Sequence, residues 1–165
     1  MRSAPDQHAL GMLIRKLESI ATLSDTERQA IQGLPVRFHH LNARQDIVRD
    51  GDQPTHCCLV LEGWACRYKL LRQGKRQIMS FHIPGDIPDL QSLHVRTMDH
   101  SLATLTKAIV AFIPHESLRE LTARHPGLAA VFWRDTLIDS GIFREWLVSM
   151  GRRSAFEHVA HLFCE

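Results

Sequence analysis

The chain has 165 residues, 44% of them hydrophobic and 23% charged, the balance of one ordinary globular unit rather than a disordered, collagen-like or disulfide-stapled chain. A chain of this length buries roughly two-thirds of the surface that its unfolded form exposes, so its core can stand without metal or disulfide staples. Lys+Arg 20 against Asp+Glu 18 leaves a formal charge of +2, too little to point to nucleic acid or a membrane through net charge alone.

Leu10, Leu13, Ile14, Leu17 and Ile20 recur at three- and four-residue steps, which predicts an amphipathic helix over His8 to Ile20. Ser24 and Glu27 form an S-x-x-E capping box, in which hydroxyl and carboxylate satisfy amides at a helix start, so a second helix should run to about Gly33. After Pro35 the texture changes. Glycines at 51, 63, 74 and 85 divide the chain at intervals of 12, 11 and 11 residues, the spacing of a β-meander or barrel. Strand formers fill the intervals: Val36 to Leu41, His56 to Leu61, Trp64 to Leu71, Arg76 to Ile83, then Leu102 to Thr106 and Ile109 to Ile113.

Pro114 at a first-turn position opens a helix with Leu118 and Leu121 that Arg124-His125-Pro126 breaks. A longer helix follows from Gly127 to Met150, roughly 35 Å at 1.5 Å per residue, with Gly151 expected to end it. Leu128, Val131, Ile138, Ile142 and Trp146 make one apolar stripe on it, and Phe132, Phe143, Leu147 and Met150 make a second. A helix apolar on two faces must be covered twice, once by its own domain and once by a partner; the first stripe is expected to be a homodimer interface. Ser154 and Glu157 form another capping box, opening a helix that carries Phe156, Val159, Ala160 and Phe163.

Cys57, Cys58, Cys66 and Cys164 contain no C-x-x-C pair and no zinc or iron–sulfur spacing, so reduced thiols, mostly buried, are expected. Charges run through Met1 to Thr22 and no apolar stretch reaches membrane-spanning length. The chain reads as cytoplasmic, without a membrane partner or a cofactor.

The order of elements, the run Phe81-His82-Ile83-Pro84-Gly85-Asp86 and the ending Gly151-Arg152-Arg153-Ser154-Ala155-Phe156-Glu157-His158-Val159-Ala160-His161-Leu162 resemble the Crp/Fnr family of bacterial transcription regulators. That resemblance implies an α+β, mainly β fold. Its double-stranded β-helix (jelly-roll) barrel of the cyclic-nucleotide-binding type would be flanked by N-terminal helices and a long C-terminal dimerisation helix. The implied division is residues 1–34 for the N-terminal helices, 35–126 for the β-roll effector domain, 127–151 for the dimerisation helix and 152–165 for the start of a truncated DNA-binding domain. The implied partners are a second copy, DNA through a C-terminal domain absent from this chain, and a small-molecule effector.

In the cyclic-nucleotide-binding members the turn after this glycine supplies amides and an acid to the ribose, and an Arg followed by Ser or Thr grips the phosphate. Gly85 and Asp86 hold the glycine and acid positions, but His100 precedes Ser101 where the Arg is expected, and Arg96-Thr97 matches only with a shorter loop. Gly85, Asp86, Arg96, His100 and Ser101 are therefore the candidate ligand-pocket residues. Pro88 lacks an amide and Asp89 repels an anion, so strong cAMP binding is not expected.

From another class, a cupin-like metal-dependent enzyme, or a metal or redox sensor, would use His39-His40, His56-Cys57-Cys58 and Cys66. The His-x-His triplet usual in cupins is missing. Successive residues of a strand point to opposite faces, so Cys57 and Cys58 read as small core hydrophobes. No nucleophilic triad or phosphate-binding loop stands out, and the reading is not an enzyme.

Overall fold

The computed structural model describes residues 4–164; Met1–Ser3 and Glu165, including the expected end of the last helix, lie outside the described residues. Helices α1 (Ala4–Glu18) and α2 (Asp25–Gln32) precede strands β1 (Arg37–Leu41), β2 (Asp46–Val48), β3 (His56–Glu62), β4 (Ala65–Leu70) and β5 (Arg76–His82). A single 3-10 turn, Leu90–Leu93, leads to β6 (Ser101–Thr104) and β7 (Ala108–Pro114), then to α3 (His115–Arg124), α4 (Pro126–Arg152) and α5 (Ala155–Cys164).

The strands make two antiparallel sheets, β1-β7-β3 and β2-β6-β4-β5, packed as a roll. Burial along β3 explains its continuous apolar run. Cys57, Leu59 and Leu61 face a helical layer with Leu10, Leu13, Leu17, Ile31, Leu118 and Leu128. Cys58 and Val60 face the roll interior with Ala65, Met98, Leu102 and Val110. A strand buried on both faces loses the polar half of its alternation. Each fully buried leucine here contributes roughly 1.5–3 kcal/mol through removal from water, so the helical layer is a structural half of the domain.

The Ser24–Glu27 capping box is present in full, with the Ser24 amide donating to Glu27 Oε2 at 2.9 Å. The box at the last helix forms as well: the Ser154 amide donates to Glu157 Oε2 at 2.8 Å. Three local expectations are corrected. Gly151 lies inside α4, which ends at Arg152 with Arg153 extended as its C-cap, just before the box at Ser154. Pro114 is the last residue of β7 and the N-cap of α3, not a first-turn residue. Asp46–Val48 pairs with β6 as a strand too short to read from periodicity.

Gly63 closes the β3–β4 hairpin at φ +80°, and an added Cβ there would lie 2.2 Å from Lys107 O and 2.8 Å from Thr106 Oγ1. Gly74, in the β4–β5 turn, also has a positive φ but has nothing within 4 Å of that point. Replacing Gly74 with Ala costs about 1 kcal/mol of backbone strain. Gly63→Ala adds a clash with the backbone, bringing the loss to about 3 kcal/mol. Urea unfolding should therefore place the Gly63→Ala midpoint well below that of Gly74→Ala with the slope unchanged; equal midpoints would contradict the packing described for this hairpin.

Candidate functional site

The free edge of β3 organises the site. The Gly85 amide donates to Val60 O at 2.8 Å and the Val60 amide to Asp86 O at 3.0 Å, so the turn after β5 docks on this edge. The next β3 amide along it, Cys58 N–H, donates to Asp89 Oδ1 at 2.8 Å. The Asp86 amide is used by Ile83 O within the turn, and the Ile83 amide donates in return to the Asp86 carboxylate. The amides that a cyclic nucleotide would recruit from Gly85 and Asp86 are thus spent inside the chain.

Between this turn and α4 lies a cavity of about 90 Å³ whose polar lining includes Lys16, Arg67, His82, Asp86, Asp135 and Asp139. On β4 and β5, Arg67 stands opposite Ser80 and Ala65 opposite His82, and the two-residue period turns these side chains to one face. Lys16 reaches in from α1 to Asp86 at 2.7 Å. Arg67 donates through Nε to Pro88 O at 2.7 Å and pairs through Nη1 with Asp139 of α4. His82 bridges Ser80 Oγ, at 2.9 Å from Nε2, and Asp86 on its other nitrogen, an arrangement that a neutral ring satisfies with one donor and one acceptor.

The electrostatics follow from these contacts. Burial works against the Asp86 carboxylate, but hydrogen bonds from His82, Lys16 and the Ile83 amide outweigh it and hold its pKa at about 2. Burial lowers His82 and raises Asp135, the latter with the neighbouring charges of Asp86 and Asp139 acting in the same direction. Complete burial pushes Asp89 up to about 7, with the Cys58 amide offsetting only part of the cost.

The five sequence-predicted pocket residues fall in separate places. Asp86 lines the cavity and Gly85 adjoins it in the docked turn. Arg96 lines a different cavity with His56 and His115. His100 is turned to Asp99 at 2.7 Å and to Gln91 at 3.3 Å. Ser101 accepts from the Asp50 amide at 3.0 Å. No cradle combining Arg96, His100 and Ser101 with the Gly85 turn is assembled. Lys16, Arg67, His82, Asp135 and Asp139 were not singled out from sequence. The one available signal was the pair Asp135 and Asp139 one turn apart on α4, which calls for cations facing it.

The expected dimer stripe also needs correction. Leu128 and Val131 are buried in the helical layer of their own chain. Trp146 is buried near the rings of Phe81, His158 and His161, and Ser149 Oγ lies 2.9 Å from His158 Nδ1. Those contacts draw α5 onto α4. Only Ile138 and Ile142 of the stripe remain accessible, at the rim of the small cavity. Cys57, Cys58 and Cys66 are buried and Cys164 is exposed. Among the described residues no three His, Cys, Asp or Glu side chains converge as metal ligands, and no helix is long and apolar enough to cross a membrane.

A two-sheet roll with an N-terminal helical layer, a turn docked on β3 and a long helix laid across them define a regulatory sensor domain. Residues 38–125 match the cyclic nucleotide-binding domain, and the chain belongs to that family, with regulators of the Crp/Fnr type among its relatives. It is 24% identical over 141 residues to electron transport regulator A of Shewanella oneidensis, covering 84% of this chain and 56% of that protein. It is 21% identical over 155 residues to the transcriptional activator protein FnrL of Cereibacter sphaeroides, covering 94% and 62%. The structure of FixK2 from Bradyrhizobium japonicum superposes with a TM-score of 0.74 at 23% identity, over 79% of this chain and 65% of that one. The chain spans 56% and 62% of the length of these two relatives. These relatives are transcription regulators, not enzymes.

Asp89 gives a test with a defined sign. Its folded pKa of about 7 lies above the ordinary 3.8, so its contribution is fully present below pH 3.8 and is lost as pH rises through 7. The full difference is about 4 kcal/mol. Asp89→Asn keeps an oxygen for the Cys58 amide and cannot ionise. Whatever constant offset the variant carries, its stability relative to wild type should improve by a few kcal/mol between pH 4 and pH 8, read from urea midpoints. A difference that does not change with pH would show that Asp89 titrates normally.

Proposed function

We propose that this chain is the effector-sensing and dimerisation portion of a Crp/Fnr-type regulator, pairing with a second copy through α4 and binding cAMP weakly or not at all. The observation that carries the reading is the outer face of α4. Trp133, Leu137, Leu147 and Val148 are exposed there at 66%, 49%, 64% and 48%, on the side opposite Leu128, Val131 and Trp146. Positions 133, 137, 140, 144 and 147 follow the alternating four- and three-residue steps of a helix–helix seam, broken by Ser140 and Arg144. Phe143 and Met150 flank it, also exposed. An apolar strip this long on a soluble-type domain calls for a partner, and a parallel copy related by a two-fold axis covers it with itself. In the parent regulator, DNA readout would belong to a domain following α5, placed by the two long helices.

Three features support weak cAMP binding. The 90 Å³ cavity is far below the roughly 300–1,000 Å³ of ordinary small-molecule sites. Its two cations, Lys16 and Arg67, are already paired with Asp86 and Asp139. The turn amides are used by Val60 and Ile83. An effector entering here must displace at least one ion pair.

Sedimentation at tens of micromolar, an order-of-magnitude choice suited to weak dimers, should show a dimer for the wild-type chain and a folded monomer for Leu137→Asp. A wild-type monomer under those conditions rejects the pairing. In isothermal titration, cAMP at about 100 μM should give no saturable heat, consistent with the loss of a charge-assisted phosphate contact worth tenfold to a hundredfold in affinity. Micromolar binding abolished by Arg96→Ala would instead show that the loop rearranges to form the cradle.

A further inference from the structure

A second cavity, of about 600 Å³, opens on the other side of the 3-10 turn, where His56 of β3, His94 and Arg96 after the turn, and His115, Glu116 and Arg119 of α3 meet. Its size falls within the range of small-molecule sites, roughly 300–1,000 Å³. Two guanidiniums and one carboxylate line it, with the imidazoles of His56, His94 and His115. Arg96 has no hydrogen-bond or ion-pair partner among the described residues, and Arg119 gives one N–H to Leu93 O at 3.0 Å. Helix α3 begins here with Pro114 as N-cap; the His115 amide donates to Thr55 O at 2.9 Å, and Pro114 offers no side-chain acceptor for the amides that follow. That leaves the positive end of a ten-residue helix facing the recess.

The three imidazoles do not converge as metal ligands, which leaves hydrogen bonding as their chemistry. His115 is buried, with Nε2 at 2.9 Å from Ser92 Oγ. Burial lowers its pKa, and the charges of Arg119 and His56 lower it further, as expected where the local potential is positive.

We infer that this recess binds a small free anion through a phosphate or carboxylate group, held by Arg96 and Arg119 with the imidazoles of His56 and His94 and the start of α3. The site is concave and lies on the domain's own elements, away from α4, so it does not require the pairing proposed above. Fork-shaped guanidinium donors suit either oxyanion. Glu116 at the rim limits affinity by repulsion.

The test is a titration of the chain, followed through the imidazole NMR signals, with sodium phosphate and separately with sodium succinate, against sodium chloride at matched ionic strength. Saturable shifts at His56, His94 and His115 with phosphate, succinate or both support the site and tell which group it prefers. On saturation the His115 pKa should rise. Arg96→Gln, which removes an exposed side chain without a partner, should weaken binding about fivefold, and adding Arg119→Gln should bring the loss to tenfold or more. Glu116→Gln should tighten it. Equal shifts with chloride, shifts that do not saturate, binding indifferent to Arg96→Gln, or a response to duplex DNA but not to either small anion would overturn the inference. A monomeric chain that still binds phosphate keeps this site while rejecting the dimer.

Discussion

A guanidinium almost withdrawn from water has to be paired, since an uncompensated buried charge costs several kcal/mol. Arg67, on β4, meets that demand with groups from two other layers, Pro88 O in the loop after β5 and the Asp139 carboxylate on α4. Lys16 does the same from α1 by reaching the Asp86 turn. Roll, loop, N-terminal helix and long helix are therefore tied at one place by two ion pairs. Such pairs add little net stability once desolvation is counted; their consequence is positional. They set how closely α4 approaches the roll and fill the volume that a ligand would otherwise take.

Much of the fold could be read from local chemistry. Capping boxes at Ser24 and Ser154 form because hydroxyl, carboxylate and amide lie within one helical turn of each other, and nothing distant is needed. The β3 run announced a strand for a similar reason, since its residues face a core on either side. The three residues of β2 carry too few positions for a period; their pairing with β6, more than fifty residues later, makes them a strand. Gly151 misled because a glycine near a helix end is a common stop, whereas here the cap at Ser154 decides the break.

The site was harder, for a physical reason. Charged residues on a helix or strand are usually solvated, so Lys16 on α1 and Arg67 on β4 carried no local sign of being special. What distinguishes them is the acid each meets, 70 residues away for Lys16 and Asp86 and 72 for Arg67 and Asp139. The Arg96, His100 and Ser101 grouping assumed that a loop with one strand phase keeps its side chains together. The buried Asp89 and the 3-10 turn stand between the Gly85 turn and all three. On α4 the exposed Trp133, Leu137 and Val148 lie in neither expected stripe, and the period did not show which apolar faces the chain itself covers. That depends on where β5 and α5 sit, and these bury Trp146.

The 3-10 turn at Leu90–Leu93 has a place that its four residues do not suggest. Leu90 and Gln91 line the small cavity beside α4, while Ser92 and Leu93 line the cationic recess at α3. Just before it, Asp89 is fixed to β3 through Cys58 N–H, and Pro88 O is held by Arg67. Within it, Ser92 holds His115. A turn this short has no slack to absorb a movement at one end without passing it on, since each of its anchors is within a few residues of the next. Displacing Ser92 from His115 therefore bears on the same segment that positions Arg67 against Asp139. The two cavities share this turn as a wall.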